Sequence, residues 1–130
     1  MTYYVFVGEE PSKTAILKGW VWGDDHLCSK TLINALNACL IKKDSYEFRN
    51  LFKNQKVDYH VINELKDLKN IEDLTIVGMG RKVQRVLDNL SIPHLKLIHP
   101  AARGKIRKTV LYIQHVSQVL LGEPKYDMEI

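Results

Sequence analysis

Thiols are scarce in this chain: Cys28 and Cys39 are the only two cysteines in 130 residues. They form no CxxC pair and no His/Cys cluster, so neither a disulfide framework nor a structural zinc site is signalled. Both read as reduced core residues. Long apolar runs are missing too, since none approaches the ~18 residues a membrane span requires. The opening MTYYVFVGEEP carries neither a basic leader nor a small-residue cleavage site, so a cytosolic location is expected. With only four prolines, no internal repeat and 45% hydrophobic residues, the chain reads as one compact domain over 1–122 with a C-terminal tail at 123–130.

Two familiar phosphate signatures are also lacking. Gly78-Met79-Gly80 would need a third glycine at position 83 to complete a dinucleotide fingerprint; Val83 stands there and no acid follows at the ribose spacing. Nothing matches GxxxxGK[ST], because Gly8 is followed by Glu9, Glu10 and Pro11, and two carboxylates repel a phosphate. Gly78 and Gly80 then read most simply as turn residues that let a helix pack close to a strand.

What is present begins with an uneven charge. Residues 1–80 hold ten basic and eleven acidic side chains, net −1, whereas 81–130 hold nine basic and four acidic, net +5. Within the second part, Arg103, Lys105, Arg107 and Lys108 form a run without an acid, a local field that favours phosphate or is simply a solvated face.

Hydrophobic periodicity gives the organisation. Thr2–Val7 reads as a buried strand stopped by Gly8. Asp24 and Asp25 can cap a helix running to about Ile41, with Leu32, Ala35, Leu36, Cys39 and Leu40 on its core face. After a polar, mobile-looking stretch at Lys42–Lys56, Val57–Ile62 reads as a second strand and Leu74–Val77 as a third. Val83, Val86, Leu87 and Leu90 mark the next helix, His94–Ile98 a fourth strand, and Lys105–Leu121 a last helix with Ile106, Val110, Ile113 and Leu120 on one stripe. Strands alternating with helices imply an α/β fold, a three-layer α/β/α sandwich around a mainly parallel four-stranded sheet. Ligands bind such sheets beyond the carboxyl ends of the strands, which places Gly8–Ser12, Asn63, Gly78–Gly80 and His99–Arg103 on one rim.

Two adjacent carboxylates, Glu9 and Glu10, leave the first strand in a loop fixed by Pro11, and His99 leaves the fourth strand before Pro100. A carboxylate and an imidazole facing each other across a cleft can act as general base and electrostatic stabiliser.

These residues resemble a known family. Val5-Phe6-Val7-Gly8-Glu9-Glu10-Pro11-Ser12, the pair Trp20 and Trp22 after Gly19, Asn63, Ile76-Val77-Gly78 and His99-Pro100-Ala101-Ala102-Arg103-Gly104 look, in that order, like the uracil-DNA glycosylase superfamily over about residues 4–120. The resemblance implies hydrolysis of the N-glycosidic bond of uracil or a related base in DNA. Glu10 stands where many members position the water and Glu9 where other branches carry a catalytic glutamate; both stay open. His99 matches the residue that stabilises the departing base. Gly8, Asn63 and Trp20 or Trp22 match the base pocket, the tryptophans as stacking platform and Asn63 as reader of the base edge. Ser12, Gly78, Gly80, Arg81, Pro100, Arg103, Lys105, Arg107 and Lys108 fall along the DNA groove. The implied partner is single- or double-stranded DNA, bound by a monomer without membrane, metal or cofactor. Flipping a base out of a duplex needs phosphate anchoring and a side chain to fill the gap, work that falls to Arg103 and Lys105. Two other readings stand beside it: a catalytically inactive DNA- or partner-binding protein on the same fold, and an enzyme of modified-base or nucleotide metabolism.

Overall fold

A β-branched and aromatic run can bury both of its faces only in the middle of a sheet, and the opening strand does so. The computed structural model describes residues 2–10, 17, 27–100 and 109–122. Strand β1 (Tyr3–Gly8) leads to helix α1 (Leu27–Ala38), a 3-10 turn at Lys43–Ser45, strand β2 (Tyr46–Asn50) and two short strands, β3 (Phe52–Lys53) and β4 (Lys56–Val57). Helix α2 (Tyr59–Leu68), strand β5 (Leu74–Met79), helix α3 (Arg81–Asn89), strand β6 (Leu95–Leu97) and helix α4 (Thr109–Leu121) follow. The protein is α/β: β2-β1-β5-β6 form a four-stranded sheet in that order, parallel throughout, while β3 and β4 pair antiparallel as a separate hairpin.

Alternation along the strands divides the core in two. Tyr4, Phe6, Val77, Met79 and Leu97 face one side, where α1 brings Leu32, Ala35 and Leu36 and α4 brings Tyr112, Val116 and Leu120. Val5, Val7 and Ile76 face the other, against Ile62 and Leu65 of α2 and Val83 and Leu87 of α3. Helices therefore cover both faces. Val5, Phe6 and Val7 are fully buried, each worth roughly 1.5–3 kcal/mol of transfer free energy. The chain goes from β1 outward to β2, then crosses back to β5 on the far side of β1 and on to β6. The outgoing connections of the neighbours β1 and β5 thus run in opposite directions, which makes a switch point and opens a crevice beyond their carboxyl ends.

Several expectations need correction. Val57–Ile62 is not a strand: the Asp58 side chain accepts a hydrogen bond from His60 N at 3.0 Å, capping α2, and Ile62 and Leu65 point inward at helical spacing. The strand at the β1 edge of the sheet is instead Tyr46–Asn50, inside the stretch read as polar and mobile. There Tyr46 and Phe48 pack on the core while Glu47 and Arg49 pair with each other on the opposite face. Leu40 leaves the core face altogether, 88% exposed, because the chain turns left-handed there (φ 59°) as α1 ends. Val110, 59% exposed, is off the α4 stripe, which runs through Tyr112, Val116 and Leu120. Cys39 is half-buried and its thiol lies 3.9 Å from the Ile113 carbonyl. Asp24, Asp25, Ile106 and the tail at 123–130 lie outside the described residues. Among those residues no helix is long and apolar enough to cross a membrane.

Candidate active site

The carboxyl ends of the strands line up, Gly8 beside Asn50 and Val7 beside Gly78, so the loops that follow share one rim. Glu9 and Glu10 continue from β1. The Glu9 carbonyl accepts a hydrogen bond from Phe52 N and the Gly8 carbonyl one from Leu51 N, each at 2.8 Å, so the β3–β4 hairpin is sewn to this loop. The two carboxylates then part. Glu9 lies 3.5 Å from Lys82 Nζ at the start of α3, and the same ammonium sits 4.5 Å above the centre of the Phe52 ring. Glu10 accepts a hydrogen bond from Gln55 N at 3.1 Å in the hairpin turn. That turn carries Asn54 and Gln55 at φ 52° and 64°; a non-glycine side chain adopts this conformation only when neighbours hold it there. Glu10 is one of the groups that hold it.

His99 reaches the rim from β6. Burial pushes its imidazole below the usual histidine range, and the charge of Glu9 pulls the other way, so the ring and the Glu9 carboxylate are electrostatic neighbours. The strand exit before His99 is held from α4: Ile98 N donates to His115 Nε2 at 2.9 Å, and the Tyr112 hydroxyl donates to the Ile98 carbonyl at 2.8 Å. His115 therefore carries no proton on Nε2, which agrees with burial lowering its affinity for one. From below, the Gln84 amide donates to the carbonyls of Gly78 and Leu97 at 2.9 and 3.0 Å, tying the ends of β5 and β6 together. Gly80 N donates to the Leu97 carbonyl at 3.0 Å, and Gly80 itself (φ 90°, ψ 155°) occupies a region open to glycine almost alone. A Cβ on Gly80 would stand 3.5 Å from that of His99.

Of the residues expected at the rim, Gly8, Glu9, Glu10, Gly78, Gly80, His99 and buried Pro100 are there, and Arg81 stands exposed at the first position of α3. Asn63 is not: it sits exposed in the middle of α2, a correction that follows from that segment being helical. The asparagine at a strand end is Asn50, beside Gly8. Ser12, Trp20, Trp22, Arg103, Lys105, Arg107 and Lys108 lie outside the described residues. Lys82, Gln84, Tyr112 and His115 were missed. The Lys and Gln at the start of an amphipathic helix after Gly-Met-Gly were the available signal; nothing in the sequence ties Tyr112 or His115 to Ile98. Among the described residues no group of three or more His, Cys, Asp or Glu is placed to hold a metal ion. A pocket of about 290 Å³ lies at the opposite, amino ends of β5 and β6, between Leu74–Ile76 and Pro93–Leu95, away from these groups.

Comparison of the chain with known family models, with curated proteins and with solved structures gives no match.

Proposed function

We propose that the chain is a compact DNA glycosylase of the uracil-DNA glycosylase type, a three-layer α/β/α protein that hydrolyses the N-glycosidic bond of uracil or a related base in DNA. The observation that carries the reading is the placement of Glu9 after β1 and His99 after β6 at the carboxyl rim of one parallel sheet, where the charge of Glu9 acts on the half-buried imidazole against the lowering of its pKa by burial. In this reaction the electron pair of the bond leaves with the base, and positive charge develops on the sugar. Water then adds to the sugar carbon and loses a proton. Glu9 stabilises the sugar cation and takes that proton; His99 donates a hydrogen bond to the base as it becomes an anion. A neutral ring suits this role, because a hydrogen-bond donor is needed and burial already favours the uncharged form. Lys82 orients Glu9 from the side. Glu10, engaged by the hairpin, is a positioning residue here, and Glu9 takes the catalytic place. The amide that reads the base edge passes from Asn63 to Asn50. Arg81, exposed and without an acidic partner among the described residues, faces the DNA backbone.

Release of uracil from a labelled oligonucleotide, followed by alkaline cleavage under single-turnover conditions, tests the reading. His99→Ala should slow release by roughly 10²–10³, the typical loss for one donor to a developing anion. Salt-sensitive DNA binding without release of any base would replace the enzyme by the non-catalytic DNA-binding protein.

A further inference from the structure

The hairpin that follows β2 is small, yet its charges are oddly placed. Lys53 and Lys56 are direct cross-strand partners and so project from the same side of the two-stranded ribbon, with side chains about 5 Å apart at their bases. Both are exposed. Like charges directly opposite each other destabilise a strand pair, and among the described residues neither lysine forms an ion pair. Of the nearby carboxylates, Glu9 pairs with Lys82, while Glu10 and Asp58 accept hydrogen bonds from Gln55 N and His60 N. The other side of the ribbon, Phe52 and Val57, packs into the core, so the lysine pair cannot swing away by rolling the hairpin. Asp58 N donates to the Leu51 carbonyl at 2.8 Å and closes its base. The turn itself, Asn54-Gln55, has the two positive φ angles of a type I′ connection, which holds the strands in one register. Three residues after Lys56, Tyr59 begins α2 with 67% of its surface exposed.

Resting on the DNA reading above, we infer that the β3–β4 hairpin is a second nucleic-acid contact. Lys53 and Lys56 clamp a backbone phosphate of the strand whose base enters the crevice, and Tyr59 offers its ring to an unpaired base beside it. A phosphate between the opposed ammoniums removes their repulsion, and an aromatic face next to basic groups is the combination that holds single-stranded nucleic acid. Because Glu9, Glu10 and the hairpin are joined by hydrogen bonds at 2.8 and 3.1 Å, the clamp lies beside the crevice, reached from the β2 side of the sheet.

The test is binding of a uracil-free single-stranded oligonucleotide, read by fluorescence anisotropy over a range of salt, with melting temperature measured alongside. Lys53→Ala/Lys56→Ala should reduce the slope of log K against log salt by about 0.7, the value for one phosphate contact on a single strand, with a melting temperature unchanged or raised. Lys53→Arg/Lys56→Arg should keep the wild-type slope. Tyr59→Ala should weaken binding several-fold and leave the slope alone, and Lys69→Ala, at the far end of α2, should change neither. An unchanged slope in the double alanine variant, or an equal loss in the double arginine variant, overturns the clamp; unchanged affinity in Tyr59→Ala overturns the stacking contact. A reduced slope in a protein that releases no base would sink the glycosylase reading and keep the hairpin contact. Absence of DNA binding by the wild type would end both.

Discussion

Replacing Gly78 by alanine probes the packing on which the whole rim depends. A Cβ there would stand 3.0 Å from His94 Cδ2, 3.2 Å from Leu87 Cδ1 and 3.3 Å from Gln84 Cγ, all inside the ~3.5–4.0 Å optimum for carbon pairs. None of the three can retreat cheaply. The His94 side chain is 2% exposed and its Nδ1–H donates to the Ile92 carbonyl at 2.8 Å. Leu87 is fully buried, and Gln84 is fixed by its two carbonyl partners on β5 and β6. Overpacking of this kind costs about 1–3 kcal/mol, against a gain of ~0.4–1 kcal/mol from the stiffer unfolded chain. The loss wins by about 1–2 kcal/mol. For 130 residues an unfolding entropy of roughly 2.1 cal/mol/K per residue gives ~0.27 kcal/mol/K, so the melting temperature should fall by about 4–7 °C. Differential scanning calorimetry reads this directly. An unchanged or raised melting temperature would refute the picture of a strand and helix packed too closely for a methyl group.

Gly80→Ala should act by a different route: its Cβ meets only ordinary contact with His99, but the backbone at φ 90° and ψ 155° would be strained by about 1–3 kcal/mol. Relief of that strain moves the loop against His99, so base release should fall more than thermal stability; equal, small effects on both would count against it. Acidification supplies a third prediction. Burial holds His99 and His115 below the ordinary value of 6.5. Below that pH the unfolded chain binds more protons than the native one, so stability is full above it and is lost as the pH falls through the native values. Melting temperatures should therefore decline as the pH falls below 6.5, and His115→Gln should flatten the decline; a level profile in the wild type would contradict the burial of both rings.

Much of the fold was legible because its signals were periodic. The runs at 3–8 and 74–79 are apolar on both faces, as central parallel strands must be, and Val83, Val86, Leu87 and Leu90 repeat at helical spacing. The outer strand was hidden by chemistry rather than by lack of pattern. Tyr46-Glu47-Phe48-Arg49 alternates with a period of two, but an edge strand's solvent face is charged, and the segment reads as polar. Val57–Ile62 misled in the opposite sense: its β-branched residues suggest a strand, while Asp58 is a helix N-cap whose start signal outweighs them. That one exchange moved the strand-end asparagine from 63 to 50. The rim was legible from Gly8, Gly78 and His99 alone, since strand ends in a parallel sheet fall together. Which glutamate the hairpin holds was not, because Glu10 is captured through Gln55 N, a contact 45 residues away in sequence.

The most direct test sets Glu9→Gln beside Glu10→Gln in single-turnover release of uracil from an oligonucleotide. Both amides keep an oxygen that can accept a hydrogen bond, so the Glu10 variant should hold its hairpin and release uracil at close to the wild-type rate. The Glu9 variant, having lost the carboxylate opposite His99, should be slower by roughly 10²–10⁴. Loss of release in the Glu10 variant with Glu9→Gln fully active would contradict the central claim that Glu9 and His99 form the reacting pair.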